Sequence, residues 1–138
     1  MFESWQRDLL ASLPVARLAT IAADGRPHVV PVCFALAGET VMIAIDEKPK
    51  RLGVELARLR NIRRDSRVSF LADRYEADWE RLAWVRIDGQ ARIFLRGEEH
   101  PRALEALRAR YPQYVTMALE RLPLIEITPE KVTGWRFA

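Results

Sequence analysis

Residues 83 to 96 constrain this chain more than any other stretch, because they alternate without interruption. Ala83, Val85, Ile87, Gly89, Ala91, Ile93 and Leu95 fall on one side, and Trp84, Arg86, Asp88, Gln90, Arg92, Phe94 and Arg96 on the other. A period of two over such a span is a β-strand with one face in a core. A strand of about fourteen residues is more than twice the usual length, so it has to bend, and bending around a small barrel is the economical solution. Gly89 is the expected kink. The second face mixes Trp84 and Phe94 with charges, which suits a dimer interface or a ligand wall better than open water.

The rest of the chain supplies partners for that strand. Residues 3–13 place Trp5, Leu9, Leu10 and Leu13 on one helical face before Pro14. Val15 to Ala22 alternates as a strand, Ala23 to Arg26 is a turn with Gly25 where positive φ is needed, and the next strand runs from His28 to Leu36. That strand is apolar on both faces, so both sides are expected to be covered, yet Pro31 cannot donate a ladder bond and marks an edge or a bulge. Thr40 to Ile45 is expected to pair with it as a hairpin. Leu52, Leu56, Leu59 and Ile62 follow at helical spacing, then a strand from Arg67 to Tyr75. After the long strand come a helix, a break near Pro112, a short helix and a closing strand or hairpin ending near Trp135. The expected fold is α+β: one domain over residues 1–138, built on a six-stranded antiparallel split β-barrel with flanking helices.

Charge is concentrated. Between Lys48 and Arg67 lie eight cations against Glu55 and Asp65, a local net of +6 in a chain whose total is +3. Two of the three lysines, Lys48 and Lys50, flank Pro49 just before a helical pattern, a good position for a phosphate. A solvated basic helix face accounts for the same residues through Arg51, Glu55 and Arg58. Aromatic residues are not interleaved with these cations, as stacking on bases would need, so no nucleic-acid partner is expected. The longest apolar run, Val29 to Ala37, is too short to cross a bilayer and the first residues carry no leader pattern, which reads as a cytoplasmic protein without a membrane role. Cys33 has no second cysteine to pair with and sits in an apolar strand as a small buried residue.

Side-chain catalysis is poorly provided for. His28 and His100 have no further ligand at metal spacing, no serine lies in a G-x-S-x-G elbow, and every glycine is isolated, which excludes a dinucleotide turn and a P-loop. No catalytic residue and no metal ligand is assigned. An enzyme built this way depends on a bound cofactor that carries the reaction.

Three motifs carry a resemblance: A-T-x-x-x-D-G-x-P-H-V-x-P-V at Ala19 to Val32, N-I-R-x-D-x-R-V at Asn61 to Val68, and V-R-I-D-G-x-A at Val85 to Ala91. In order and spacing the chain resembles the pyridoxamine 5′-phosphate oxidase-like, FMN-binding split-barrel superfamily, and more narrowly its coenzyme F420-dependent subgroup. The resemblance implies a homodimer with cofactor sites at the interface and a ring lying along the second strand, where the backbone of Pro31 and Val32 meets its pyrimidine edge. It implies phosphate binding by cations after the third strand. Arg58 matches the family position, while Lys48, Lys50 and Arg51 are assigned by charge and location. Trp135 and Arg136 are expected to reach the partner's cofactor. Val30 stands where pyridoxamine phosphate oxidases carry an arginine, and their C-terminal substrate signature is reduced to Gly134-Trp135-Arg136, so oxidation of a B6 vitamer is not expected. The implied activity is hydride transfer between a deazaflavin and a small conjugated acceptor; an FMN-dependent oxidoreductase and a non-catalytic cofactor-binding protein are the alternatives. Tyr75, Trp79, Trp84 and His28 are candidate walls of the substrate pocket.

Overall fold

The computed structural model describes residues 1–45, 56–94, 100–117 and 123–137. Helix α1 (Ser4–Ser12) leads into β1 (Ala16–Ile21), β2 (Pro27–Val32), β3 (Ala35–Ala37) and β4 (Thr40–Ala44). Helix α2 (Ala57–Arg64), β5 (Arg67–Arg74), β6 (Ala83–Phe94), α3 (His100–Arg110) and β7 (Leu124–Arg136) complete the order, with 3-10 turns at Trp79–Arg81 and Pro112–Tyr114. The strands form one antiparallel sheet in the order β2-β1-β5-β6-β7-β4-β3, so the last strand lies inside the sheet, between β6 and β4. The result is the expected α+β split barrel, with seven strands where six were expected.

The extra strand arises because the single strand expected from His28 to Leu36 is broken at Cys33 and Phe34. The cause lies far away in sequence. The Phe34 N–H donates to the Tyr111 hydroxyl at 3.0 Å, and the Phe34 carbonyl accepts from Arg110 Nη1 at 2.9 Å. With its backbone groups taken by α3 and the residue after it, Phe34 cannot continue a ladder. The expected hairpin with β4 is therefore confined to Ala35–Ala37, and β2 pairs with β1 instead. Arg110 also donates to the carbonyls of Leu10 and Leu13, capping the end of α1. One guanidinium thus ties together α1, the strand break and α3.

The inner face of the sheet holds the main core. Leu18, Phe34, Val41, Ile43, Phe70, Val85, Ile87, Ile125 and Ile127 are buried there, with Phe34 and Phe70 edge to face at 4.9 Å. Leu9 and Leu10 of α1 and Leu59 and Ile62 of α2 join this core. Gly89 is the expected irregularity: the β6–β7 register shifts between Asp88 and Gly89, and a Cβ at Gly89 would lie 2.2 Å from the Thr128 carbonyl oxygen. On the outer face, α3 covers one corner, burying Ala35, Met42, Ala44, Phe94 and Leu124 under Leu104, Leu107 and Tyr111. No helix among the described residues is long and apolar enough to cross a membrane.

Candidate functional site

The rest of the outer face is built by register. Pro31, Arg17, Leu71, Arg86 and Thr133 make one row across β2, β1, β5, β6 and β7. Val29, Ala19, Ser69, Asp88 and Lys131 make the next, and Asp73, Trp84 and Trp135 another. Directly paired residues share a face, so these rows form a surface that no element of the described chain covers. Large apolar groups remain exposed on it: Val29 at 61%, Leu71 at 36%, Trp135 at 42%, with Tyr75 at 71% beyond the end of β5. Leu71, Asp73, Tyr75, Trp84 and Arg86 line a groove of about 490 Å³ there, a volume in the range of small-molecule sites.

This surface ends at the free edge of β2. Both sides of that strand were expected to be covered, but Pro27, Val29 and Pro31 face solvent. The β1–β2 turn closes with the Ala22 N–H donating to the Arg26 carbonyl at 2.8 Å. Antiparallel pairs alternate from there, so His28 and Val30 bond to β1 while the backbone of Pro27, Val29 and Pro31 points outward. The two prolines sit where a missing N–H costs no ladder bond. The exposed edge from 27 to 31 therefore offers carbonyls and a single N–H, that of Val29. Such an edge is blunted against pairing with another strand, yet it keeps one donor beside an acceptor for a smaller group.

Electrostatics divide the face. Asp88 accepts from Ser69 Oγ at 2.6 Å and from Arg86 Nε at 3.3 Å, so Arg86 is locally neutralised. The Thr133 hydroxyl beside it is buried and has no partner among the described residues. The motif residues outside the face are scaffolding. Asn61 donates to Thr20 Oγ1 at 3.0 Å, fastening α2 to β1 in the interior. Hydrogen bonds from Arg67 hold the Asp65 carboxyl at about 2, well below the usual carboxylate range, where α2 passes into β5.

The structure brings some expected site residues together and separates others. Pro31 and Trp135 lie on the open face, Trp135 directly opposite Trp84. The Val32 side chain is buried on the inner side, and by the same alternation its backbone turns toward Ala16 of β1 rather than to the open edge. Arg136 turns away from Trp135, its guanidinium 5.0 Å from the Trp5 ring, in a separate groove against α1. Arg58 is half-buried on α2, one turn before Asn61. Thr20, which Asn61 holds, is three residues along β1 from Arg17, a distance of about 10 Å. Lys48, Lys50 and Arg51 lie outside the described residues. Of the candidate pocket walls, Tyr75 and Trp84 line the groove, Trp79 is exposed in its 3-10 turn, and His28 faces inward with a buried Nδ1 that has no partner among the described residues. Among the described residues no three His, Cys, Asp or Glu side chains gather at metal-binding distance. Sequence reasoning passed over Val29, Leu71 and Asp73, and above all Arg17, whose signal was a lone cation within the apolar strand Val15 to Ala22.

The comparisons agree with this architecture. The pyridoxamine 5′-phosphate oxidase family model matches residues 3–136. A conserved hypothetical protein from Mycobacterium tuberculosis superposes with a TM-score of 0.80 at 24% identity, over 99% of this chain and 86% of that one. The heme storage protein of Vibrio cholerae gives 0.75 at 19%, over 97% and 93% of the two chains. An FAD-binding protein from Mesorhizobium loti gives 0.70 at 22%, over 97% and 94%. These likenesses establish the fold. No curated protein matches the chain. The match over almost its whole length places the chain in the pyridoxamine 5′-phosphate oxidase family, within the FMN-binding split-barrel superfamily.

Proposed function

We propose that this member of the pyridoxamine 5′-phosphate oxidase family is a cytoplasmic homodimeric oxidoreductase that holds a flavin-type cofactor, coenzyme F420 before FMN, on its open sheet face. The observation that carries the reading is the junction of that face with the β2 edge. Apolar side chains at Val29, Pro31 and Leu71 adjoin a strand edge whose one N–H lies between carbonyls. The residues fit a flat heteroaromatic ring: the side chains give it a surface to lie on, and the adjacent Val29 N–H and Val29 carbonyl can donate to one ring carbonyl and accept from the neighbouring ring N–H of a pyrimidine edge.

When bound, such a cofactor gives or accepts a hydride, and the small conjugated acceptor is its partner in that exchange. The protein's own share is placement. Trp84 and Trp135 wall one end of the face and exclude water from it, and Tyr75 and Asp73 line the groove where an acceptor would rest. Arg58, with Lys48, Lys50 and Arg51, is assigned to the phosphate and to the longer acidic tail of the deazaflavin. A second copy of the chain on the exposed apolar side chains completes the site and brings its own Trp135 and Arg136. FMN is the second reading, supported by the flavin that the FAD-binding protein of Mesorhizobium loti, similar in fold, is named for.

Titration of the purified protein with coenzyme F420 and with FMN, followed by tryptophan quenching at low and high salt, tests the reading. Saturable F420 binding, weaker FMN binding and a loss of quenching in Trp84→Phe and Trp135→Phe are expected. The reverse preference makes the protein an FMN enzyme, and binding of neither overturns the proposal.

A further inference from the structure

Among the described residues of the open face, Arg17 is an uncommitted cation set directly between apolar cross-strand partners, whereas Lys131 in the next row stands opposite Asp88. The cross-strand partners of Arg17 are Pro31 on one side and Leu71 on the other, and Val15 and Ala19 flank it on its own strand, so its immediate neighbours on this face are apolar. It makes no ion pair, hydrogen bond or ring contact among the described residues, whereas Arg86, one strand further on, is spent on Asp88. An unpaired guanidinium standing among exposed apolar groups is a poor surface for a neutral hydrophobe. It suits a flat ligand that carries delocalised negative charge, because stacking area and a diffuse counter-charge are met together.

We propose that Arg17 sets the charge preference of this face: it selects the anionic state of the bound ring over the neutral one, and so tunes the reduction potential of a flavin held there. This rests on the cofactor reading above and deepens it. Two-electron reduction of FMN by dithionite adds two electrons and one proton, leaving the ring system with one net negative charge more than the oxidised ring. A cation facing it therefore strengthens binding of the reduced form more than of the oxidised form, and linkage raises the midpoint potential by the ratio of the two affinities. Arg17 is a positioning and specificity residue in this role. It donates no proton and takes no part in bond making.

The test uses the full chain with FMN as the probe. Oxidised and dithionite-reduced FMN are titrated separately into wild type, Arg17→Gln and Arg17→Lys, with the midpoint potential of the bound flavin measured in each. The glutamine variant is expected to bind reduced FMN about tenfold more weakly relative to oxidised FMN, a fall of about 30 mV for a two-electron couple, and the lysine variant to recover most of it. Arg17 is exposed, so both variants are expected to unfold in urea as wild type does. Equal weakening of both redox states, or an unchanged potential, overturns the role for Arg17 while leaving the cofactor reading standing. A variant that loses only self-association, with the potential intact, overturns it too and assigns Arg17 to the partner subunit. Failure of wild type to bind FMN or F420 overturns the cofactor reading itself.

Discussion

The outer face of the sheet divides into two unlike halves. At the β3–β4–β7 corner α3 seals it, and Met42, Phe94 and Leu124 are buried there like residues of the main core. Toward β1, β2 and β5 similar apolar residues stand in the open, with Val29 and Leu71 well exposed. The chain had the means to cover its sheet and used them on one side only. On the function proposed above, exposed apolar groups that continue a regular strand pattern, beside an edge blunted by two prolines, are a surface kept for another body rather than a packing defect.

Substitutions sharpen this contrast in descending order of effect. Leu107→Ala in the sealed half is expected to cost about 3 kcal/mol in urea unfolding, because the side chain is fully buried and α3 cannot collapse far onto the gap. A cost near that of a surface change would mean that α3 is not a structural cover. Tyr111→Phe comes next, at about 2 kcal/mol, since the Phe34 N–H and the carbonyls of Phe34 and Pro14 lose their hydroxyl partner. Burial pushes the Tyr111 phenol above its ordinary range, so the unfolded chain ionises first as pH rises. Wild type should therefore lose stability above about pH 10 relative to Tyr111→Phe, with the difference constant below that point.

The open half should respond differently. Thr133→Val is expected to stabilise the protein alone by about 1 kcal/mol, since it removes a buried hydroxyl without a partner. If that hydroxyl meets a group of a second copy, the same variant should weaken self-association by sedimentation. Leu71→Ala is expected to change urea unfolding by less than about 0.5 kcal/mol while lowering cofactor affinity several-fold. An equal effect of Leu71→Ala and Leu107→Ala on unfolding would erase the distinction between the halves.

Much of the fold was legible because local pattern and tertiary structure agree. Alternation found β6 and the inward set Val85, Ile87, Gly89 and Ala91, and Gly25 takes the positive φ its turn required. The break at Phe34 was not legible. The run around it is apolar with no glycine to punctuate it, and what interrupts it is a hydroxyl 77 residues later. The candidate site was half legible: Pro31 could be read from its missing donor, but Arg17 acquires meaning only when register sets it between Pro31 and Leu71. Adjacency in sequence did not tell on which side Trp135 and Arg136 each stand, since a strand sends neighbouring residues to opposite faces.

The place of β7 has a consequence for how the protein is made. As the chain leaves the ribosome, β2, β1, β5 and β6 can assemble in turn, but β3 and β4 have no neighbour to join, because the strand that bridges them to β6 is synthesised last. Until residues 124–136 emerge, the nascent protein carries two separate sheet fragments with bare edges, a state prone to wrong pairing. Closure is thus a late, long-range event, and chains cut short within β7 should be lost to aggregation or proteolysis rather than accumulate as trimmed barrels.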